Sequence, residues 1–209
     1  MGALIACGSF AAGDPGVSDS ARESGADANQ DDVRAPDEAG PEGSSEPCPT
    51  HDCRFVFVTS TLVSGAMGDV LQADAKCQLA ANRGVAALQG RTFKAWLSSG
   101  GLPASARLKA GTKKYILPNG TEIAASPAKL SSPLEHAIDV TELNAGALAR
   151  GDVWTGTSND GATVGRNCSD WGMAIGMGDV GALESATSWS FNTSKSCLTA
   201  MARLYCFED

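Results

Sequence analysis

Residues 73–99 read ADAKCQLAANRGVAALQGRTFKAWLSS, and two kinds of periodicity meet within them. The first half continues a helical pattern that begins at Asp69. Val70, Ala73, Cys77, Ala80 and Ala81 follow helical spacing, and Gly84 stands where a helix would stop. The spacing predicts a helix over 69–83 with Cys77 on its inward face. The second half ends in TFKAWL (92–97), whose aromatic residues read as a strand or the lead-in to one.

Working outward, RFVFVT (54–59) is an aromatic and β-branched strand, joined to the helix by the turn-like SGAMGD (64–69). A short helix is expected at 104–110. Lys114–Leu117 and Thr121–Ile123 flank Asn119-Gly120 and predict a hairpin, although Pro118 interrupts it. Asp152–Thr155 reads as a strand, GTSNDGATVG (156–165) as an exposed loop, and ARLYCFE (202–208) as a final strand. Two modest helices, several short strands and long loops need something further to hold them. Cysteine supplies it. The chain has seven, and Cys48, Cys53, Cys77, Cys168, Cys197 and Cys206 lie in or beside the folded part. No C-x-x-C spacing occurs and His51 and His136 are far apart, so a disulfide framework in an exported protein is the better reading than zinc. Spacing alone does not choose the pairing.

The remaining cysteine, Cys7, ends the opening MGALIACG. Residues 1–50 carry ten acidic and two basic side chains and account for the whole net charge of -8; residues 51–209 balance fourteen against fourteen. Between Phe10 and Phe55 there is no aromatic residue, Leu or Ile, so this stretch cannot bury enough apolar surface to offset chain entropy. Residues 8–50 are therefore expected to be an acidic disordered tether. Leu4-Ile5-Ala6-Cys7 resembles the lipobox of bacterial lipoproteins. On that resemblance residues 1–7 are a partial signal peptide and Cys7 carries lipid, placing the protein at the bacterial outer membrane or cell surface, or, without the lipid, outside the cell. A neutral domain does not point to nucleic acid.

Three stretches together resemble a known family: residues 73–99, VWTGTSNDGATVGRNCSDW (153–171) and SCLTAMARLYCFE (196–208). They are similar to endostatin, a member of the C-type lectin-like fold, and more so to bacterial lipoprotein and secreted domains of undefined function. The resemblance implies an α+β domain over 51–209 with short strands, two helices and long disulfide-pinned loops. It implies nested pairing, Cys77 with Cys206 and Cys168 with Cys197, leaving Cys48 and Cys53 as a local clip and Cys7 free for lipid. It also places Trp154 and Trp171 in the core.

Other family properties do not carry over. Only His51 stands near the region of endostatin's zinc-binding histidines, and the calcium-and-sugar motifs of lectins are absent. No nucleophile elbow, zinc-protease motif or phosphate loop occurs, so no catalytic residue, metal or cofactor is expected. Arg107, Lys109, Lys113 and Lys114 form at most a small solvated basic patch. The expected function is a surface-anchored, non-catalytic, monomeric module that binds an extracellular protein or glycan. A structural envelope lipoprotein and a cryptic hydrolase are the alternatives. The loops 155–170 and 184–196 are the expected binding face, with Trp189 as a partly exposed apolar anchor. Asn159, Asp160 and Asp170 would make polar contacts or, with Asn167, ligate calcium weakly.

Overall fold

The computed structural model describes residues 47–48 and 52–209; Cys7, the lipobox and the acidic segment up to residue 46 lie outside the described residues. The elements in chain order are β1 (Cys53–Val58), β2 (Val63–Ser64), α1 (Val70–Arg83), β3 (Phe93–Ala95), α2 (Ala104–Arg107), β4 (Lys114–Ile116), β5 (Glu122–Ala124), β6 (Asp152–Trp154), β7 (Met177–Ala182), β8 (Thr193–Ser196) and β9 (Met201–Glu208). The architecture is α+β, with two helices set against a mixed sheet of order β5-β4-β1-β9-β6-β7-β8.

The last strand organises the sheet. β9 pairs antiparallel with β1 (Val56 opposite Phe207), β2 and β3 (Ala95 opposite Cys206), and parallel with β6 (Val153 opposite Arg203). Successive side chains of a strand point to opposite faces. Phe55 and Phe57 of β1 and Leu204 and Cys206 of β9 therefore join Ala73, Cys77 and Ala81 of α1 in one core. Val56, Val58, Tyr205 and Phe207 face the other way, into a second core with Trp96, Tyr115 and Trp189. A strand covered on both sides has no polar face, which is why RFVFVT shows no alternation of polarity.

Asp69 caps α1 by accepting from Gln72 N at 2.7 Å, and the Gly84 N–H donates to Ala81 O at 3.1 Å, closing the helix at the predicted residues. The hairpin turn at Asn119-Gly120 is present, with Gly120 at φ 90° and its N–H on Leu117 O. The basic patch is smaller than expected. Arg107 is nearly buried, pairs with Asp74 at 2.6 Å, and donates to Ala95 O and Leu97 O, so it joins α1, β3 and α2 instead of facing solvent.

All six cysteines of the folded part are bridged, as Cys48–Cys53, Cys77–Cys206 and Cys168–Cys197. Among the described residues no helix is long and apolar enough to cross a membrane.

Candidate functional site

The two loops that the sequence singles out do meet. The side-chain amide of Asn159 donates to Phe191 O at 3.0 Å, while its carbonyl oxygen accepts from Phe191 N at 2.8 Å. This pair of hydrogen bonds across 32 positions makes loop 156–166 and loop 184–192 one surface. Asn159, Asp160, Asn192 and Thr193 are exposed there, and Phe191 is partly buried.

The floor beneath this surface is a buried set of hydroxyls. Trp96 Nε1 donates to Ser190 Oγ at 3.0 Å, and Thr155 Oγ1 donates to Ser190 O at 2.6 Å. Ser98 and Thr157 share a hydrogen bond of 2.7 Å between their hydroxyls. Every member is satisfied inside a low-dielectric region, so the network fixes the loop bases more firmly than apolar packing alone. A second tie comes from Asp179 on β7. Its fully buried carboxylate accepts from Arg166 Nε at 3.0 Å and from the Ser194 hydroxyl, fastening the long loop to β8.

Trp189 is not the exposed anchor expected of it. It is 1 % exposed, with its ring 4.8 Å from Trp96 and 5.7 Å from Tyr205. The cause is a glycine. A Cβ at Gly181 would stand 1.6 Å from the Trp189 carbonyl oxygen, so only a residue without a side chain lets residues 188–190 fold down onto β7. Folding down inserts the indole into the core. The aromatic left at the surface is Phe191, two positions on, which the sequence reading passed over.

Asp160 and Asp170 belong to separate clusters. Asp160 accepts from the Ser158 hydroxyl and from Ala162 N at 3.1 Å, and the Ser158 bond leads in holding its carboxyl below the usual range. This is a turn-capping carboxylate. Asp170 accepts from Gly100 N at 2.7 Å, Asn167 Nδ2 at 2.7 Å and Ser99 Oγ at 3.2 Å. The bond from Gly100 is the largest influence on its lowered pKa. The proposed oxygen donors are thus divided between two places, and Oδ1 of each aspartate already accepts from N–H and O–H groups. Among the described residues no three acidic, His or Cys side chains lie close enough to hold a metal.

Asp170 sits within an unusual turn. Cys168, Ser169, Asp170 and Trp171 all have positive φ, between 54° and 67°. Each such non-glycine residue costs about 1–2 kcal/mol, so a consecutive run must be held from outside. The Cys168–Cys197 bridge holds one end. At the other, Trp171 Nε1 donates to Ser98 O at 3.0 Å, and Met67 N and Gly68 N donate to Trp171 O. Trp154 and Trp171, both fully buried as expected, meet edge-on at 6.0 Å beneath it.

The clasp by Asp170 gives a pH dependence of defined sign. Its folded pKa lies below that of the unfolded chain, so the ionised form adds stability above pH about 4 that is lost as pH falls through the folded value. Thermal melts of wild type and Asp170→Asn from neutral pH into acid should converge at low pH. Curves that stay parallel throughout would show that the clasp does not hold the turn.

No family model matches the chain, and no curated protein matches it.

Proposed function

We propose that the folded part is a C-type lectin-like, endostatin-like domain acting as a non-catalytic, extracytoplasmic binding module. Lipid on Cys7 would anchor it to the envelope, with residues 8–50 as spacer. Its ligand is an extracellular protein or polysaccharide, taken on the joined surface of loops 156–166 and 184–192. Three disulfides favour an oxidising compartment. The nested pairs Cys77–Cys206 and Cys168–Cys197 support the endostatin-like reading.

The observation that carries the functional reading is the reciprocal Asn159–Phe191 pair. It fixes the backbone of a partly buried aromatic residue beside exposed amides and hydroxyls, on a base held by disulfide and buried hydrogen bonds. A surface ordered beforehand loses little entropy when a partner arrives. An aromatic ring with polar neighbours suits both sugar faces and peptide side chains.

The test is an array of matrix proteins and glycans probed with the full chain, followed by Phe191→Ala. Affinity for any ligand found should fall by about 1–2 kcal/mol or more, with the melting temperature kept close to wild type. Unchanged affinity would place the binding face elsewhere.

A further inference from the structure

A groove of about 340 Å³ lies between α1 and the segment that follows β1. Its apolar wall is Val63, Leu79, Ala80 and Leu143; Leu79 and Leu143 are about half exposed, at 48 % and 51 %. Lys76 and Arg83 line the same groove, are exposed, and make no ion pair or side-chain hydrogen bond among the described residues. Lys76, Leu79, Ala80 and Arg83 follow the spacing that puts residues on one helix face. An apolar strip is thus bracketed by two free cations.

The facing rim is rigid. Arg203 Nη1 donates to Thr59 O at 2.6 Å and to Ser60 O, and Leu204 N donates to Thr59 Oγ1 at 3.0 Å. The Glu142 carboxylate, almost buried at the groove's base, accepts from Ser60 N at 2.8 Å and from the Ser60 hydroxyl. Its oxygens keep lone pairs for further donors. Val85 N donates to Glu142 O at 2.9 Å and so fixes Leu143 beside the end of α1.

We propose that this groove binds an acidic peptide segment of a partner protein, with an aliphatic side chain flanked by carboxylates. Lys76 and Arg83 stand two helical turns apart, about 10 Å along the axis. An extended chain advances about 3.3 Å per residue and shows alternate side chains on one face, so carboxylates four positions apart, about 13 Å, share a face and lie within reach of both long cationic side chains. The aliphatic side chain midway between them falls on the Leu79–Ala80 strip, and peptide N–H groups find an acceptor in Glu142. A small acid with one carboxylate meets only one of the two cations. This site is separate from the Asn159–Phe191 surface, and substitutions at either leave the other intact.

The probe is the fluorescein-labelled hexapeptide Glu-Asp-Leu-Ile-Asp-Glu, titrated against the full chain by anisotropy, with Gln-Asn-Leu-Ile-Asn-Gln as control. The acidic peptide should bind saturably and weaken as salt is raised. Lys76→Glu with Arg83→Glu should weaken it by about tenfold or more; Leu79→Ser should weaken it too. Because these side chains are exposed, the melting temperature should not move. Equal binding of the neutral peptide, or no saturable binding at millimolar peptide, overturns the proposal. So does binding that emerges only when the ten acidic residues of 1–50 are changed to Asn and Gln, since the chain's own acidic segment would then be the occupant.

Discussion

Replacing Cys77 and Cys206 together by alanine is expected to lower the unfolding free energy by about 5 kcal/mol. The bridge joins α1 to β9 across a separation of 129 residues, so most of the domain lies inside the loop that it closes. Without it the unfolded chain gains the freedom of that entire loop. Cys168–Cys197 closes a separation of 29, and its removal should cost about 3.5 kcal/mol on the same chain-entropy argument. Denaturant melts of the two double variants at equal pH give both numbers. The order matters more than either value. If the shorter bridge proves the costlier, the left-handed turn at Cys168–Trp171 depends on it more than the loop entropy of the longer bridge can match.

Trp189→Ala should cost about 3–5 kcal/mol, the range for an aromatic removed from a packed core. The ring touches Trp96, Tyr205 and Phe207, so its loss opens a cavity in a packed core. For a domain of this size the melting temperature should fall by about 10 °C or more. Phe191→Ala, two residues away and half-buried, should shift it far less. A reversed ranking would mean that loop 184–192 is turned over, with Phe191 inside.

The contrast between those two aromatics shows what could be read in the chain and what could not. The α1 boundaries were legible because Asp69, the apolar spacing and Gly84 are local signals that tertiary packing did not override. β1 and β9 were legible because strands buried on both faces are continuously apolar. The nested pairing came from resemblance alone, since the spacing of the cysteines does not select it. β7, MGDVGA, carried no strand signal at all. Its glycines are there because side chains would strike Trp154, the Cys168 sulfur and the Trp189 backbone, and contacts made across folded loops leave no local periodicity. With β7 and β8 unread, small polar neighbours around Trp189 looked like solvent exposure. Arg107 was misread for a related reason, as its partner Asp74 lies on an element more than thirty positions earlier. The meeting of loops 155–170 and 184–196 was anticipated; the Asn159 clamp between them was not, because a reciprocal amide pair requires both backbones to be in place.

We propose an exported scaffold whose loops are pinned by nested disulfides and whose Cys7 carries the anchor. Mass spectrometry of peptides from the unreduced protein, purified from its native host, tests this most directly. The account predicts peptides joined as Cys77–Cys206, Cys168–Cys197 and Cys48–Cys53, together with an N-terminal peptide beginning at lipid-modified Cys7. Cys77 joined to Cys168, or free thiols at these positions with an unmodified and uncleaved Cys7, would contradict it.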